Sequence, residues 1–234
     1  MMLEVRDLSA SYGRAQILSG VSLDVAAGEV VALLGRNGAG KSTTLKAILG
    51  LVPPTRGRVV FDGAAIAGQA SYRIARLGLG YVPEERRIFA DLTVRENLEV
   101  ARRAPREGFE PWTHARLFDL FPNLETLIDR PGGRMSGGEQ QMLAVARTLM
   151  GNPKMLLLDE PSEGLAPLIV EQMEAAIAAL KRDGLSVLLC EQNLHFAMRL
   201  ADRAIILEKG QVRYAGTMAA LMADAAARKT YLEL

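Results

Sequence analysis

One cysteine stands in a chain of 234 residues. Cys190 closes an apolar run, which marks it as a buried small hydrophobe in a reducing compartment and not as a nucleophile or ligand. Charge of either sign is not in excess: 28 Lys and Arg against 27 Asp and Glu give a formal net charge of +1. That balance argues against a nucleic-acid footprint and against strong attraction to an anionic membrane. The basic residues of 84–106 are interleaved with Glu85, Asp91, Glu96 and Glu99 and read as a solvated face. Long apolar runs are missing as well, since no stretch approaches the ~18–20 residues a spanning helix needs. The start, MMLEVRDLSA, has no basic segment followed by an apolar one. The expectation is a cytoplasmic protein without a signal peptide, held at a membrane only through a partner. Internal repeats and low-complexity linkers are absent, leaving one large domain or two intimately packed subdomains.

Hydrophobic patterning supplies the elements. Leu3 and Val5, then Val21, Leu23 and Val25, alternate with polar neighbours as half-buried antiparallel strands do. EVVALLG (29–35) is a continuous apolar run, suited to a strand buried on both faces of a parallel sheet. A helix is expected from about Ser42 to Leu51, stopped by Pro53-Pro54. GRVVFDG and LGYVP read as short strands. From about Glu84 to Gly151 the pattern turns helical, with capping-box matches at Thr93–Glu96 and Ser136–Glu139. Between them PREGFEPW (105–112) reads as an irregular tip. The α/β alternation then resumes with strands MLLLD, SVLLC and AIILEKG. Pro167 opens a helix carrying Ile169, Met173, Ile177 and Leu180, and an Ala-rich helix lies near 217–227.

Three motifs carry chemistry. Gly35-Arg36-Asn37-Gly38-Ala39-Gly40-Lys41-Ser42 matches G-x-x-x-x-G-K-[ST] between a buried strand and a helix, the context a phosphate-binding loop requires. The three glycines let backbone N–H groups turn inward as an anion nest, and the helix N-terminus adds positive potential. Lys41 can neutralise the β- and γ-phosphates, and the Ser42 hydroxyl can ligate Mg²⁺. LLLDEP (156–161) ends a strand in Asp159, placed to hold Mg²⁺. Glu160 would point to the other side if strand geometry persists, where it can polarise an attacking water. Ser136-Gly137-Gly138-Glu139-Gln140 forms a second anion site at a helix start. Its helix of roughly 14 residues, about 21 Å long, would hold Ser136 away from the chain's own phosphate loop unless the chain folds back. Ser136 is then expected to grip a triphosphate bound to a second subunit; the alternative is a plain capped helix.

Phosphate loop, MSGGEQQ and LLLDEP, in this order and spacing, resemble the ATP-binding subunits of ABC transporters over essentially the whole chain. The resemblance implies an α/β P-loop NTPase core of ABC type with an antiparallel β subdomain and an inserted helical subdomain. All 234 residues would form one ATP-binding domain, 1–83 and 152–234 as the core and 84–151 as the helical insertion. It also implies ATP and Mg²⁺ as ligands, and two cassettes sandwiching two ATP molecules to drive a membrane permease. ATP would lie on Tyr12, Gly35 to Lys41, Ser42 and Thr43, with Ser136 to Gln140 reaching it from the opposite cassette. Tyr12 matches the aromatic that stacks on adenine, worth about 1–3 kcal/mol; a core or hairpin tyrosine is its rival. Mg²⁺ would be held by Ser42, Glu84 and Asp159, with Glu160, Gln192 and Glu84 serving the hydrolytic step.

YVPEERRIFADLTVRENL, LLLDEPSEGLAP and CEQN further resemble the LivF-type ATPases of branched-chain amino acid importers. Such subunits pair with a LivG-type ATPase, two membrane proteins and a periplasmic binding protein; relatives carry urea, short amides or aromatic acids. A homodimer is the other arrangement, and no nucleic-acid partner is expected. Three positions depart from the wider pattern. Glu84 replaces a glutamine and adds charge that attracts Mg²⁺ but repels the γ-phosphate. Ala166 replaces an acid in a loop that touches the opposite subunit. Gln192 replaces a histidine that donates to the γ-phosphate; glutamine keeps a donor but cannot become cationic. His195, three residues on, reads as an ordinary histidine of the next helix. RRIFADLTVRENL is expected to include the surface that meets the permease, through Arg86 and Arg87 among others. A soluble ABC-type ATPase acting on ribosomes or DNA is the competing class, and it lacks the tandem cassette, coiled-coil insertion or basic surface it would need.

Overall fold

The computed structural model describes residues 1–106 and 110–232; three residues of the expected irregular tip, 107–109, lie outside it. The chain opens with strands β1 (Leu3–Tyr12), β2 (Ala15–Val25) and β3 (Val30–Leu34), then α1 (Lys41–Ile48), β4 (Pro54–Phe61) and the short β5 (Ala64–Ala65). Next come α2 (Ser71–Leu77), β6 (Leu79–Val82), α3 (Val94–Ala101), α4 (His114–Leu120), α5 (Pro122–Thr126) and α6 (Gly137–Met150). The chain continues through β7 (Met155–Asp159), α7 (Pro167–Arg182), β8 (Ser186–Glu191) and α8 (Leu194–Leu200). It ends with β9 (Arg203–Glu208), β10 (Gln211–Thr217), α9 (Met218–Ala223) and α10 (Ala225–Tyr231).

Two sheets form. A four-stranded antiparallel sheet has the order β2-β1-β4-β5, and a six-stranded sheet has the order β10-β9-β3-β8-β7-β6. In the larger sheet β9, β3, β8, β7 and β6 are parallel, and β10 adds antiparallel at the β9 edge. The continuous apolar runs are explained by two cores, one on each face of this sheet. Val30, Ala32 and Leu34 of β3 enter the core built with α3, α6, α7 and α8, while Val31 and Leu33 enter the other. That second core also holds Leu3, Val5 and Leu8 of β1 with Leu45 and Ile48 of α1. β7 and β8 divide in the same way, Leu156, Leu158, Val187 and Leu189 on one side and Met155, Leu157, Leu188 and Cys190 on the other. A period of 2 with both faces covered therefore appears in the sequence as no period at all.

Several expectations shift in detail. The helix after the phosphate loop ends at Ile48, before Pro53: Leu49 caps it, Gly50 turns the chain at φ +68°, and Pro54 already belongs to β4. The helical stretch expected from Glu84 begins only at Val94, where Thr93 and Glu96 form the capping box. The preceding segment is an extended loop in which Arg86 and Arg87 sit at φ +62° and +48°. QVRYAGT, unread in the sequence, is β10; its alternation is irregular where the register shifts between Val212 and Tyr214. The Ala-rich helix near 217–227 is two short helices broken at Asp224, which caps the second by accepting from Ala227 N–H.

Candidate active site

β3 sits between β9 and β8, so its C-terminal end opens in the middle of the sheet rather than at an edge. Gly35 follows directly, and a Cβ there would collide with the carbonyl of Leu207 on β9, so only glycine lets the loop pass. At Gly38 nothing crowds the position; its φ of +76° is what favours glycine. The chain then enters α1, whose first turn carries Lys41, Ser42 and Thr43. A cavity of about 320 Å³ is walled by Asn37 to Thr43, by Ile17 of β2, and by Glu84 and Glu160. Tyr12 is 49 % exposed near the tip of the same hairpin and is not in that wall.

β7 and β8 bring the acids to this loop. Asp159 is the last residue of β7 and lies on the α1 side with Leu157 and Met155; Ser42 Oγ donates to its Oδ1 at 2.9 Å. Strand alternation would send Glu160 to the opposite face. It does not persist: Glu160 takes φ +47° and donates its N–H to the Cys190 carbonyl at 3.0 Å, which turns its side chain back to the loop. Its Oε1 lies 3.1 Å from Lys41 Nζ, both side chains being buried (7 % and 3 % exposed). Lys41 also donates to the Gly35 carbonyl at 2.8 Å. Gln192, just past β8, donates Nε2–H to Glu160 Oε2 at 2.6 Å. Adjacent acids thus serve adjacent phosphate-loop residues, and residue 192 grips one of them.

Charge in this corner is strained. Burial raises the Asp159 carboxyl above the ordinary range despite donors from Ser42 and Tyr81. Burial also opposes ionisation of Glu160, but the Gln192 donor and Lys41 outweigh it and hold that carboxyl low. The Glu160 carboxylate beside it, with partial burial, pushes the Glu163 carboxyl up to about 7. Glu84 is raised by partial burial and by the charges of Glu160 and Asp159. Such a group of carboxylates is relieved by a cation. Among the described residues no cluster of three or more His, Cys, Asp or Glu side chains could hold a metal alone. The pairing of Ser42 Oγ with Asp159 suits Mg²⁺ nonetheless, because that ion takes one or two protein oxygens and fills its shell with water and phosphate.

Three side chains here escaped the sequence. Tyr81 pairs in register with Leu157 on β7, so its ring faces the same side and its hydroxyl reaches forward to donate to Asp159 Oδ2 at 3.1 Å. Burial and the Asp159 charge push its hydroxyl pKa upward. Glu191 is buried and accepts from the N–H groups of Ser162, Gln192 and Asn193, fixing both loops that flank Glu160. Glu163 is the third. A tyrosine beside a strand ending in aspartate was the available signal; the other two needed the loop geometry. His195 is exposed on α8, and the Cys190 thiol is fully buried and pushed up by that burial.

Ser136 caps α6, accepting from Glu139 N–H at 3.3 Å while Glu139 Oε2 accepts from Ser136 N–H at 2.7 Å. Gln140 Nε2 donates to the Gly132 carbonyl at 3.1 Å. None of Ser136 to Gln140 walls the phosphate-loop cavity. A side chain on Gly80 of β6 would meet both Thr148 of α6 and Leu156 of β7, and one on Gly138 would meet Ile169 at the start of α7. The end of α6 thus lies beside the β6 edge of the sheet, and its start lies against α7.

A phosphate loop after the central strand, Asp-Glu at the end of the strand next but one and a separate Ser-Gly-Gly helix start define an ATP-binding cassette. The profile of the ABC transporter family matches residues 18–163. The high-affinity branched-chain amino acid transport ATP-binding protein BraG of Pseudomonas aeruginosa is 43 % identical over 231 residues, covering 99 % of each chain. The probable branched-chain amino acid transport ATP-binding protein LivF of Archaeoglobus fulgidus is 38 % identical and covers 92 % of each. The lipopolysaccharide export ATP-binding protein LptB of Haemophilus influenzae is 35 % identical, covering 99 % of this chain and 97 % of that one. A solved ATP-binding subunit of an ABC transporter superposes with a TM-score of 0.84 at 32 % identity, covering 100 % of this chain and 97 % of the other. The chain belongs to the ABC transporter family and is an ATPase subunit of a transporter. Among the described residues no helix is long and apolar enough to cross a membrane.

Proposed function

We propose that this chain powers an importer of branched-chain or other hydrophobic amino acids by closing against a second cassette on ATP. The observation that carries the reading is the full-length likeness to BraG. The second cassette is a LivG-like partner or another copy. Two permease subunits hold the pair at the inner face of the membrane, and a periplasmic binding protein supplies the solute. Residues 1–83 and 152–234 act as the catalytic core and 84–151 as the helical, signature-bearing insertion.

Each site residue has a task in this reading. The N–H groups of Gly35 to Thr43 cradle the phosphates at the start of α1, and Tyr12 offers its exposed ring to adenine. Lys41 exchanges Glu160 for phosphate oxygens, which frees that carboxylate. Glu160 then orients and deprotonates the attacking water while Gln192 fixes its second oxygen. Bound Mg²⁺ supplies charge neutralisation to the phosphates. Ser42, Asp159 and Glu84 are the residues that hold it, Tyr81 steadying the Asp159 carboxylate. Ser136 to Gln140 complete the site of the opposing cassette.

Deleting this chain and measuring uptake of radiolabelled leucine, urea and an aromatic acid tests the substrate class. Loss of leucine uptake, restored by the wild-type chain and not by Lys41→Ala, is expected. Loss confined to urea or the aromatic acid replaces the solute and keeps the importer. The likeness to LptB favours a second reading, export of lipopolysaccharide, which predicts intact uptake with a defect in surface lipopolysaccharide.

A further inference from the structure

The sequence treats Arg86 and Arg87 as a pair on a docking face, but the structure separates them. Arg87 is outward, its side chain 66 % exposed and paired with Glu85 at 3.5 Å. Arg86 is turned inward and half-buried. Its guanidinium lies on the first turn of α6: a Cβ on Gly137 would come within 3.0 Å of its Nη1 and 3.3 Å of Nη2. The Arg86 carbonyl faces the same helix farther along, accepting from Arg147 Nη2 at 3.4 Å. Arg147 in turn lies over the Phe89 ring, 5.2 Å from its centre. The loop is therefore fastened along α6, with the Arg86 side chain as its contact to the helix start. Its Nε is buried and makes no hydrogen bond, so packing on the glycine turn is what orients it.

Upstream, this contact is tied to the nucleotide pocket. Arg86 N–H donates to the Pro83 carbonyl at 3.0 Å, closing a turn that contains Glu84, and Glu84 walls the phosphate-loop cavity. A hydrogen-bonded turn with Arg86 at φ +62° moves as a unit, so a shift of Glu84 displaces the guanidinium two residues on. We infer that Arg86 is a positioning residue that transmits movement of Glu84, at the chain's own phosphate loop, to the Ser136–Gly138 turn. This rests on the reading that the turn completes the ATP site of an opposing cassette. Glycine at 137 then has a purpose inside the chain: it makes room for Arg86.

The test is a cycle of four variants, read by kcat, by KM for ATP, by thermal midpoint, and by nucleotide affinity of the dilute protein. Because the atoms that a Gly137 Cβ would meet are the far end of a flexible side chain, Gly137→Ala should fold and push Arg86 away. Arg86→Ala and Gly137→Ala are each expected to lower kcat about tenfold, as misplacement of a catalytic group does, with a smaller change in KM. The double variant should be no slower than the slower single one, and Arg86→Lys should recover part of the loss. Additive losses in the double variant, or kcat for Arg86→Ala within about twofold of wild type, overturn the inference. An equal loss of nucleotide affinity in the dilute protein overturns it too, since Arg86 would then serve its own pocket. If Arg86→Ala does not fold, Arg86→Gln decides: a lowered kcat at unchanged thermal midpoint and unchanged nucleotide affinity supports, and wild-type kcat refutes. Ser136→Arg separates the layers. Abolished turnover there with normal Arg86→Ala removes only the inference; retained turnover removes the opposing-site reading and the inference with it.

Discussion

Replacing Gln192 by alanine isolates one hydrogen bond at the hydrolytic carboxylate. In the structure two nitrogen donors hold Glu160, Lys41 at 3.1 Å from Oε1 and Gln192 Nε2 at 2.6 Å from Oε2. Once Lys41 turns to the phosphates, Gln192 is the side-chain nitrogen donor left on Glu160, beside the Glu163 carboxyl, to fix the carboxylate's direction. A hydrogen bond to a charged acceptor contributes ~1.5–3 kcal/mol, and the exposed position of Gln192 puts this one at the lower end, about 1.5 kcal/mol. If the bond persists in the transition state, its loss lowers kcat about tenfold. Steady-state ATP hydrolysis at saturating ATP is the assay, with KM measured alongside. KM should move little, because Gln192 does not wall the phosphate-loop cavity. Gln192→His, which restores a donor of similar reach and can add charge, should recover the loss. Turnover of Gln192→Ala within about twofold of wild type would remove residue 192 from the mechanism. A loss of about a thousandfold or more would refute the orienting role from the other direction, since one neutral donor cannot supply it.

Tyr81→Phe removes one of two side-chain donors to the buried Asp159 carboxylate. It should lower unfolding stability by about 1.5–3 kcal/mol in chemical denaturation and raise the Mg²⁺ concentration needed for half-maximal turnover. An unchanged Mg²⁺ midpoint would dissociate Tyr81 from the metal position. Glu160 pushes the Glu163 carboxyl up from 4.5 to about 7, so between those values the folded chain holds a proton the unfolded chain has released. Its stabilising contribution is present at low pH and lost as pH rises through about 7. Glu163→Gln should therefore flatten the fall in nucleotide-free thermal midpoint between about pH 5 and pH 8, and parallel curves for the two proteins would refute the raised Glu163 carboxyl.

Local patterning determined much of this protein by itself. Gly35 to Ser42 announces its loop because only a strand–turn–helix with small residues can wrap a phosphate, and every requirement lies within one short segment. The buried runs VVALL and MLLLD, and the capping boxes at Thr93 and Ser136, are legible for the same reason: near neighbours set them. What the sequence could not decide depends on residues far apart in the chain. The direction of Glu160 turns on a left-handed residue and on the Cys190 carbonyl of the next strand, whereas alternation alone points it the wrong way. Tyr81 reaches Asp159 because β6 pairs in register with β7. The neighbours of the Ser136 turn, Arg86 at Gly137 and Ile169 at Gly138, come from distant parts of the chain. Arg86 and Arg87, identical and adjacent in sequence, part company because two consecutive left-handed residues turn one side chain onto Gly137 and leave the other in solvent.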